Sequence, residues 1–238
     1  MMSYLACETT VVLLAAGHGK RMLPLTANTP KPLLKVKDKC LIEHHLIKLK
    51  DEGFRNIVIN IAYQGEKIRQ FLGDGGRYGL EIQYSDEAAS GALETAGGLL
   101  HALPLIKSDP FLVINADIWT DYPFSKMLKK LEKMGKLLMV NNPTHNVDGD
   151  FCIDRASGLL QKNSRHNAHT FSGIGLYHKQ VLRGLAPGRH PLAPIFLGLI
   201  AAGQLEGELY TGEWLDIGTP QRLTQLREAI LKKPLNSQ

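Results

Sequence analysis

From residue 10 onward, short runs of aliphatic and β-branched residues alternate with stretches whose apolar residues recur at helical spacing. The first kind predicts strands over 10–15, 56–60, 80–84, 111–115 and 136–140. Between them, 41–52, 64–71, 95–103 and 124–134 read as amphipathic helices. Strands alternating with helices of this kind predict a parallel sheet covered on both faces, a doubly wound order for the first half of the chain.

The second half has a different rhythm. Residues 150–153 and 159–162 flank the turn Asp154-Arg155-Ala156-Ser157-Gly158 and predict a β-hairpin, and 170–177 is a further strand carrying two glycines. Helices follow over 192–202 and 220–231, the latter with Thr219 as N-cap and Pro220 at the first helical position. No repeat, low-complexity tract or linker interrupts the chain, so one domain is expected across residues 1–238, with the tail 232–238 fraying around Pro234.

Composition narrows the class. A chain of 238 residues, 44% hydrophobic and 21% charged, can bury a substantial core. The net charge of +5 could suggest nucleic acid, but Lys and Arg are scattered rather than gathered on one face, so no nucleic-acid partner is expected. A phosphorylated small substrate accounts for the same excess. Cys7, Cys40 and Cys152 lack the close pairing of zinc sites or disulfide frameworks, which suits a reducing compartment. The apolar run 11–16 has no basic residues before it and leads into a glycine loop, and no run approaches the roughly 18 apolar residues that span a bilayer. A cytoplasmic protein without a membrane partner is expected.

The chemistry begins after the first strand, at Leu14-Ala15-Ala16-Gly17-His18-Gly19-Lys20-Arg21-Met22-Leu23-Pro24-Leu25-Thr26. Gly17 and Gly19 allow a sharp turn and bring backbone N–H groups close to an anion. Arg21 adds a fixed fork of donors for phosphate oxygens. Lys31 stands between Pro30 and Pro32, which fix the local backbone and so aim the ammonium group. The run lacks the Gly-Lys-Ser/Thr ending of a P-loop and the third glycine of a dinucleotide-binding turn. Further on, Asp117 follows the strand 111–115, where an open α/β sheet binds its ligands, and Asp216 leaves a second apolar run just before a helix. Taken singly, either acid could equally be a turn residue or a helix cap. None of the histidines has the spacing of a metal site or a triad.

Together, Gly-x-Gly-x-Arg-Met-x-Pro-Leu-Thr, Pro-Lys-Pro-Leu, Asn-Ala-Asp and Trp-x-Asp-x-Gly-Thr resemble the signature of the sugar-phosphate nucleotidyltransferases, over about residues 10–230. The resemblance implies a Rossmann-like, mostly parallel but mixed sheet, with a small β-hairpin insertion on the sugar-binding side, as in GT-A-like folds. It implies Mg²⁺ held by Asp117 and Asp216, with Arg21 and Lys31 on the phosphates. It places the nucleotide against Leu14, Ala15, Gly17, Gly19 and Lys20, and its base against Glu94, Thr95 and Gly97. The acceptor falls to Asn115, Gly149, Asp150, Ser172 and Gly173. Glu94 stands where many relatives carry glycine, and Gln161-Lys162-Asn163 replaces a Glu-Lys-Pro motif, which leaves Lys162 without an assigned role. Within the family, Leu-Glu-Thr-x-Gly-Gly and the short length resemble the bacterial branch that transfers UMP to N-acetylmuramate α-1-phosphate. UTP and a sugar 1-phosphate are the expected partners, with guanylyl transfer to mannose 1-phosphate the alternative, in a monomer or small homo-oligomer.

Overall fold

The computed structural model describes residues 2–89, 91, 93–163 and 167–232, so the expected fraying of the tail concerns residues almost wholly outside those described. A short helix, α1 (Met2–Glu8), leads into β1 (Thr10–Leu14). There follow a two-stranded ribbon of β2 (Lys35–Val36) and β3 (Lys39–Cys40), then α2 (Leu41–Asp51), β4 (Asn56–Ile61), α3 (Gly65–Leu72), β5 (Glu81–Asp86), α4 (Glu94–Ala102) and β6 (Phe111–Asn115). β4 and β6 flank β1, both parallel to it, and β5 extends the parallel set beyond β4. The chain therefore reverses its direction of winding between β1 and β6, and the carboxyl ends of those two strands form a crevice open to a ligand.

Alternation along β1 explains the layering. Val11 and Leu13 face α2 and α3, packing with Ile42, Leu46, Leu49, Ile68 and Leu72. Val12 faces the opposite way, towards Ala96, Leu99 and Ala102 of α4. All of these are buried, so the central strands read as continuous apolar runs, as a sheet covered on both sides requires.

Beyond β6 the sheet becomes mixed. β7 (Ile118–Thr120), β8 (Gly135–Val140), β9 (Phe151–Ile153), β10 (Leu160–Lys162) and β11 (Ala168–Tyr177) follow in sequence. They lead to α5 (Leu192–Ala201), β12 (Leu205–Tyr210), β13 (Trp214–Asp216) and α6 (Pro220–Lys232). The long β11 runs antiparallel between β6 and β8, so β8 does not continue the parallel order from β6, and β12 pairs parallel to β8 at the margin. The hairpin of β9 and β10 joins the amino end of β11, giving nine strands in one sheet. β13 pairs antiparallel with β7 as a separate ribbon. α6 covers that ribbon through Leu223, Leu226 and Ile230, which meet Met22, Leu34, Val36 and Ile217.

One predicted helix is absent. Residues 124–134 form only a 3₁₀ turn over Phe124–Leu128. Phe124 and Met127 enter the core, but Lys126, Lys129, Lys130 and Lys133 would stack like charges three and four residues apart on a continued helix. No helix among the described residues is long and apolar enough to cross a membrane.

Candidate functional site

At the carboxyl ends of β1, β4 and β6 lies a cleft of about 320 Å³, walled by Leu14 to His18, by Lys31, and by Asn115 to Asp117. A second cavity of about 380 Å³ lies alongside, towards β9, β11 and α5, with Phe151, Phe171 and Phe196 in its walls. Leu14, Glu94, Thr95 and Asn115 line both, so the two spaces adjoin over the last residues of β1 and β6.

The glycine loop is braced from beneath. Asn60, the polar residue near the end of the apolar β4, is 3% exposed, and its Oδ1 accepts from the backbone N–H of Ala15 at 3.3 Å and of Ala16 at 3.2 Å. Its Nδ2 donates to Glu87, a carboxylate also 3% exposed. Burial pushes the Glu87 carboxyl up from its ordinary range, against the hydrogen bonds from Leu93 and Asn60 that favour its charged form. Gly98 in α4 makes room for this pair: a Cβ there would stand 2.3 Å from Glu87 Oε1 and 2.6 Å from Asn60 Nδ2.

Within the loop, Gly17 faces open space, whereas Gly19 adopts φ 62° and its carbonyl accepts from Thr26 Oγ1 at 2.9 Å. His18 lines the cleft and stacks on Tyr63 with ring centroids 5.2 Å apart. Gly19, Lys20 and Arg21 do not line the cleft; Lys20 and Arg21 are exposed at its outer side, and Arg21 has no ion pair or hydrogen bond among the described residues.

Lys31 is 9% exposed and its Nζ lies 2.5 Å from Asp117 Oδ2 across the cleft wall. Asp216 lines neither cavity but lies near Asp117 along the backbone: it pairs with Ile118, and the next residue, Ile217, donates its N–H to the Asp117 carbonyl at 2.9 Å. The two acids, 99 positions apart in sequence, thus come together with Asp117 just before β7 and Asp216 at the end of β13, opposite Ile118. Asp216 Oδ2 accepts from Arg222 Nη1 at 2.7 Å and lies 3.3 Å from His145 Nε2. No three His, Cys, Asp or Glu side chains cluster as a protein cage for a metal among the described residues. Two carboxylates are nonetheless a donor set suited to Mg²⁺, which is commonly held by one or two acids with water and phosphate oxygens completing its shell.

On the base side, Glu94 and Thr95 line the cleft. Glu94 has φ 58°, a conformation that glycine adopts without strain. Its carboxylate is held by Arg189 through both Nε and Nη2. Gly97 departs from expectation. Its N–H donates to the His190 carbonyl at 3.1 Å, and a Cβ there would stand 2.3 Å from the Gly188 carbonyl, so it makes room for the 188–190 loop rather than for a ring.

Of the residues expected to hold the acceptor, Asn115, Asp150 and Gly173 line the second cavity. Gly173, at φ 83°, admits Asn115, whose Nδ2 would be 2.6 Å from a Cβ at that position. Asp150 Oδ2 accepts from the Phe171 N–H at 2.8 Å and so ties the hairpin to β11. Ser172 and Gly149 line neither cavity. Ser172 is 1% exposed and its Oγ accepts from the Ile174 N–H at 3.2 Å, because β11 bulges here and turns that side chain inward. Gly149 packs against Asn142 and lines neither cavity.

Asn60, Glu87, Gly98, Arg222 and His145 were not foreseen. Asn60 had a signal, a polar residue at the carboxyl end of an otherwise apolar strand, and Arg222 another, a cation in the first turn after Asp216. Glu87, Gly98 and His145 had none, because their roles depend on contacts between distant segments.

Comparison with known proteins follows the same line. The model of the family described as nucleotidyl transferase matches residues 10–233. The chain is 44% identical over 220 residues to the N-acetylmuramate alpha-1-phosphate uridylyltransferase of Neisseria meningitidis serogroup B, covering 90% of this chain and 95% of that protein. It is 28% identical to the mannose-1-phosphate guanylyltransferase catalytic subunit beta of Drosophila pseudoobscura pseudoobscura, covering 90% of this chain but 60% of that protein's length. Among solved structures, HddC from Yersinia pseudotuberculosis, complexed with GMP-PN, superposes with a TM-score of 0.77 at 19% identity, over 93% of this chain and 99% of that one. At that identity the likeness concerns the fold alone.

Proposed function

This chain belongs to the nucleotidyl transferase family, and on that premise we propose that it transfers UMP from UTP to N-acetylmuramate α-1-phosphate, releasing pyrophosphate, in peptidoglycan recycling. The observation that carries this reading is the meeting of two cavities over Leu14 and Asn115, with Lys31 and Asp117 on one wall. One space suits a nucleotide and the other a sugar, and their junction is where an acceptor phosphate would meet the α-phosphorus. The preference for uridylyl transfer rests on the 44% identity to the Neisseria enzyme, against 28% to the guanylyltransferase.

In this reading the acceptor's phosphate oxygen attacks the α-phosphorus in line and pyrophosphate leaves on the far side. The nucleophile is already an anion, so the protein supplies positioning and charge compensation rather than a general base. The loop is held through Asn60, which occupies the N–H groups of Ala15 and Ala16, and its later N–H groups donate to phosphate oxygens. Lys31, and Arg21 from the loop's outer side, offset charge on the leaving group. Mg²⁺ between Asp117 and Asp216 would neutralise the charge shared by the reacting oxygens. Asn115, Asp150 and Gly173 bound the sugar. The apolar walls of the second cavity suit a sugar bearing acyl or ether substituents better than a plain hexose.

The test is a matrix of the four common ribonucleoside triphosphates against N-acetylmuramate, N-acetylglucosamine, glucose and mannose 1-phosphates, read by pyrophosphate release. The expected result is fastest turnover with UTP and N-acetylmuramate α-1-phosphate. Preference for GTP with mannose 1-phosphate would replace this assignment with the guanylyltransferase one.

A further inference from the structure

Both acids of the β7 and β13 region are already charge-paired. Lys31 Nζ lies 2.5 Å from Asp117 Oδ2, and Arg222 Nη1 lies 2.7 Å from Asp216 Oδ2. The second pair is the more enclosed, with side chains only 12% and 23% exposed. The local sequence is shaped around it. Thr219 and Pro220 start α6 so that Arg222 falls in its first turn, with the Arg222 N–H donating to Thr219 Oγ1 at 3.4 Å. Gly218 must be bare, because a Cβ there would stand 2.4 Å from Arg222 Nη2 and 3.0 Å from Asp216 Oδ1. His145, from the segment between β8 and β9, closes the other side, with Nε2 2.7 Å from Arg222 Nη1.

We propose that Arg222 is a positioning residue for Asp216, and that it keeps the affinity of the two acids for a divalent cation low until the phosphates of a nucleotide enter the cleft. The inference rests on the reading of Asp117 and Asp216 as cation ligands. With Lys31 and Arg222 in place the four side chains sum to no net charge, so a cation arriving alone gains little Coulomb energy. A triphosphate brings both negative charge and oxygen donors, and only then is the coordination shell complete. Arg222 holds Oδ2 of Asp216, while Oδ1 accepts no hydrogen bond among the described residues. A guanidinium is suited to this because it keeps its charge throughout the physiological range and is planar and weakly hydrated.

The experiment titrates the whole protein with Mn²⁺, followed by the electron paramagnetic resonance signal of the free ion, with and without a non-hydrolysable UTP analogue. Wild type is expected to bind Mn²⁺ weakly alone and tightly with the analogue. Arg222→Gln, which removes the charge but keeps a donor, is expected to bind Mn²⁺ alone about tenfold more tightly. The advantage given by the nucleotide should shrink to match. If Arg222→Gln fails to fold, Arg222→Met replaces it: it keeps the packing of the stem and removes the charge, and the same rise is expected. A folded variant that binds Mn²⁺ alone no more tightly than wild type overturns the proposal. Absence of Mn²⁺ binding in every form, analogue included, overturns instead the assignment of the two acids as cation ligands.

Discussion

Glycine in a helix interior is ordinarily a weak point, and replacing it with alanine stabilises the helix by about 0.5–1 kcal/mol. Gly98→Ala should do the reverse. The new methyl would lie 2.3 Å from Glu87 Oε1 and 2.6 Å from Asn60 Nδ2, both on buried side chains hydrogen-bonded to each other. Forcing a methyl into packed surroundings costs about 1–3 kcal/mol. Loosening a buried hydrogen bond to a carboxylate costs about 1.5–3 kcal/mol more. Set against the helix gain, the net expectation is a destabilisation of about 1.5–5.5 kcal/mol. Because Asn60 also accepts from the N–H groups of Ala15 and Ala16, the shift should carry into the glycine loop and raise KM for the nucleotide several-fold. Gly198→Ala in α5 is the control, since a Cβ there meets nothing within 4 Å. It should stabilise by about 0.5–1 kcal/mol. Urea denaturation of both variants, with steady-state kinetics, makes the comparison. A Gly98→Ala protein as stable as wild type would refute the claim that the Asn60–Glu87 brace is tightly packed.

Other perturbations follow from the same geometry. His45 is buried against the Ile118 carbonyl, 2.9 Å from its Nε2, and desolvation lowers its pKa to about 4. The unfolded chain, with His near 6.5, binds that proton first, so stability present above pH 6.5 is lost as pH falls towards 4, by up to about 3 kcal/mol. His45→Gln should flatten this part of the pH dependence in urea titrations, and an unchanged slope would contradict it. Gly173→Ala, at φ 83° and against Asn115, should lower kcat/KM for the acceptor about tenfold or more, with KM for the nucleotide less affected. Glu94→Gly should leave Tm unchanged or raise it: removing a left-handed non-glycine residue relieves about 1 kcal/mol, and its exposed pair with Arg189 contributes at most about that much.

The parts of this fold that are legible in the sequence are those fixed by neighbours. Runs such as 10–15 and 56–60 are apolar throughout because both faces are covered, and the spacing in 41–52 holds because one helix face meets the sheet. Pairing is not local, and so the insertion of β11 between β6 and β8 was not visible. Nor was the strand Leu205–Tyr210, whose glutamates and glycine dilute its pattern at the sheet margin. The segment 124–134 shows the converse, a helical pattern defeated by like charges and by the demand to bury Phe124 and Met127. At the site, Lys31 and Asp117 stood out through their own motifs, although 86 positions separate them. Gly97, Gly149 and Ser172 sit within the family motifs, and what their neighbours across the fold ask of them, close packing between segments, is not written in those motifs. Glu87 and Gly98 escaped notice because a buried carboxylate and the glycine that admits it are intelligible only once Asn60 lies beside them.

In the proposed reaction Asp117 and Asp216, brought near each other where β13 pairs with β7, serve one nucleotidyl transfer. The most direct measurement is pyrophosphate release from UTP and N-acetylmuramate α-1-phosphate by Asp117→Asn, Asp216→Asn and the double variant, each checked for a native unfolding transition. Each single variant is predicted to lose at least about a hundredfold in kcat. The double variant should lose little more than the worse single one, because the two acids act as a unit. Near-normal turnover by either folded single variant, or losses that multiply in the double variant, would contradict the account.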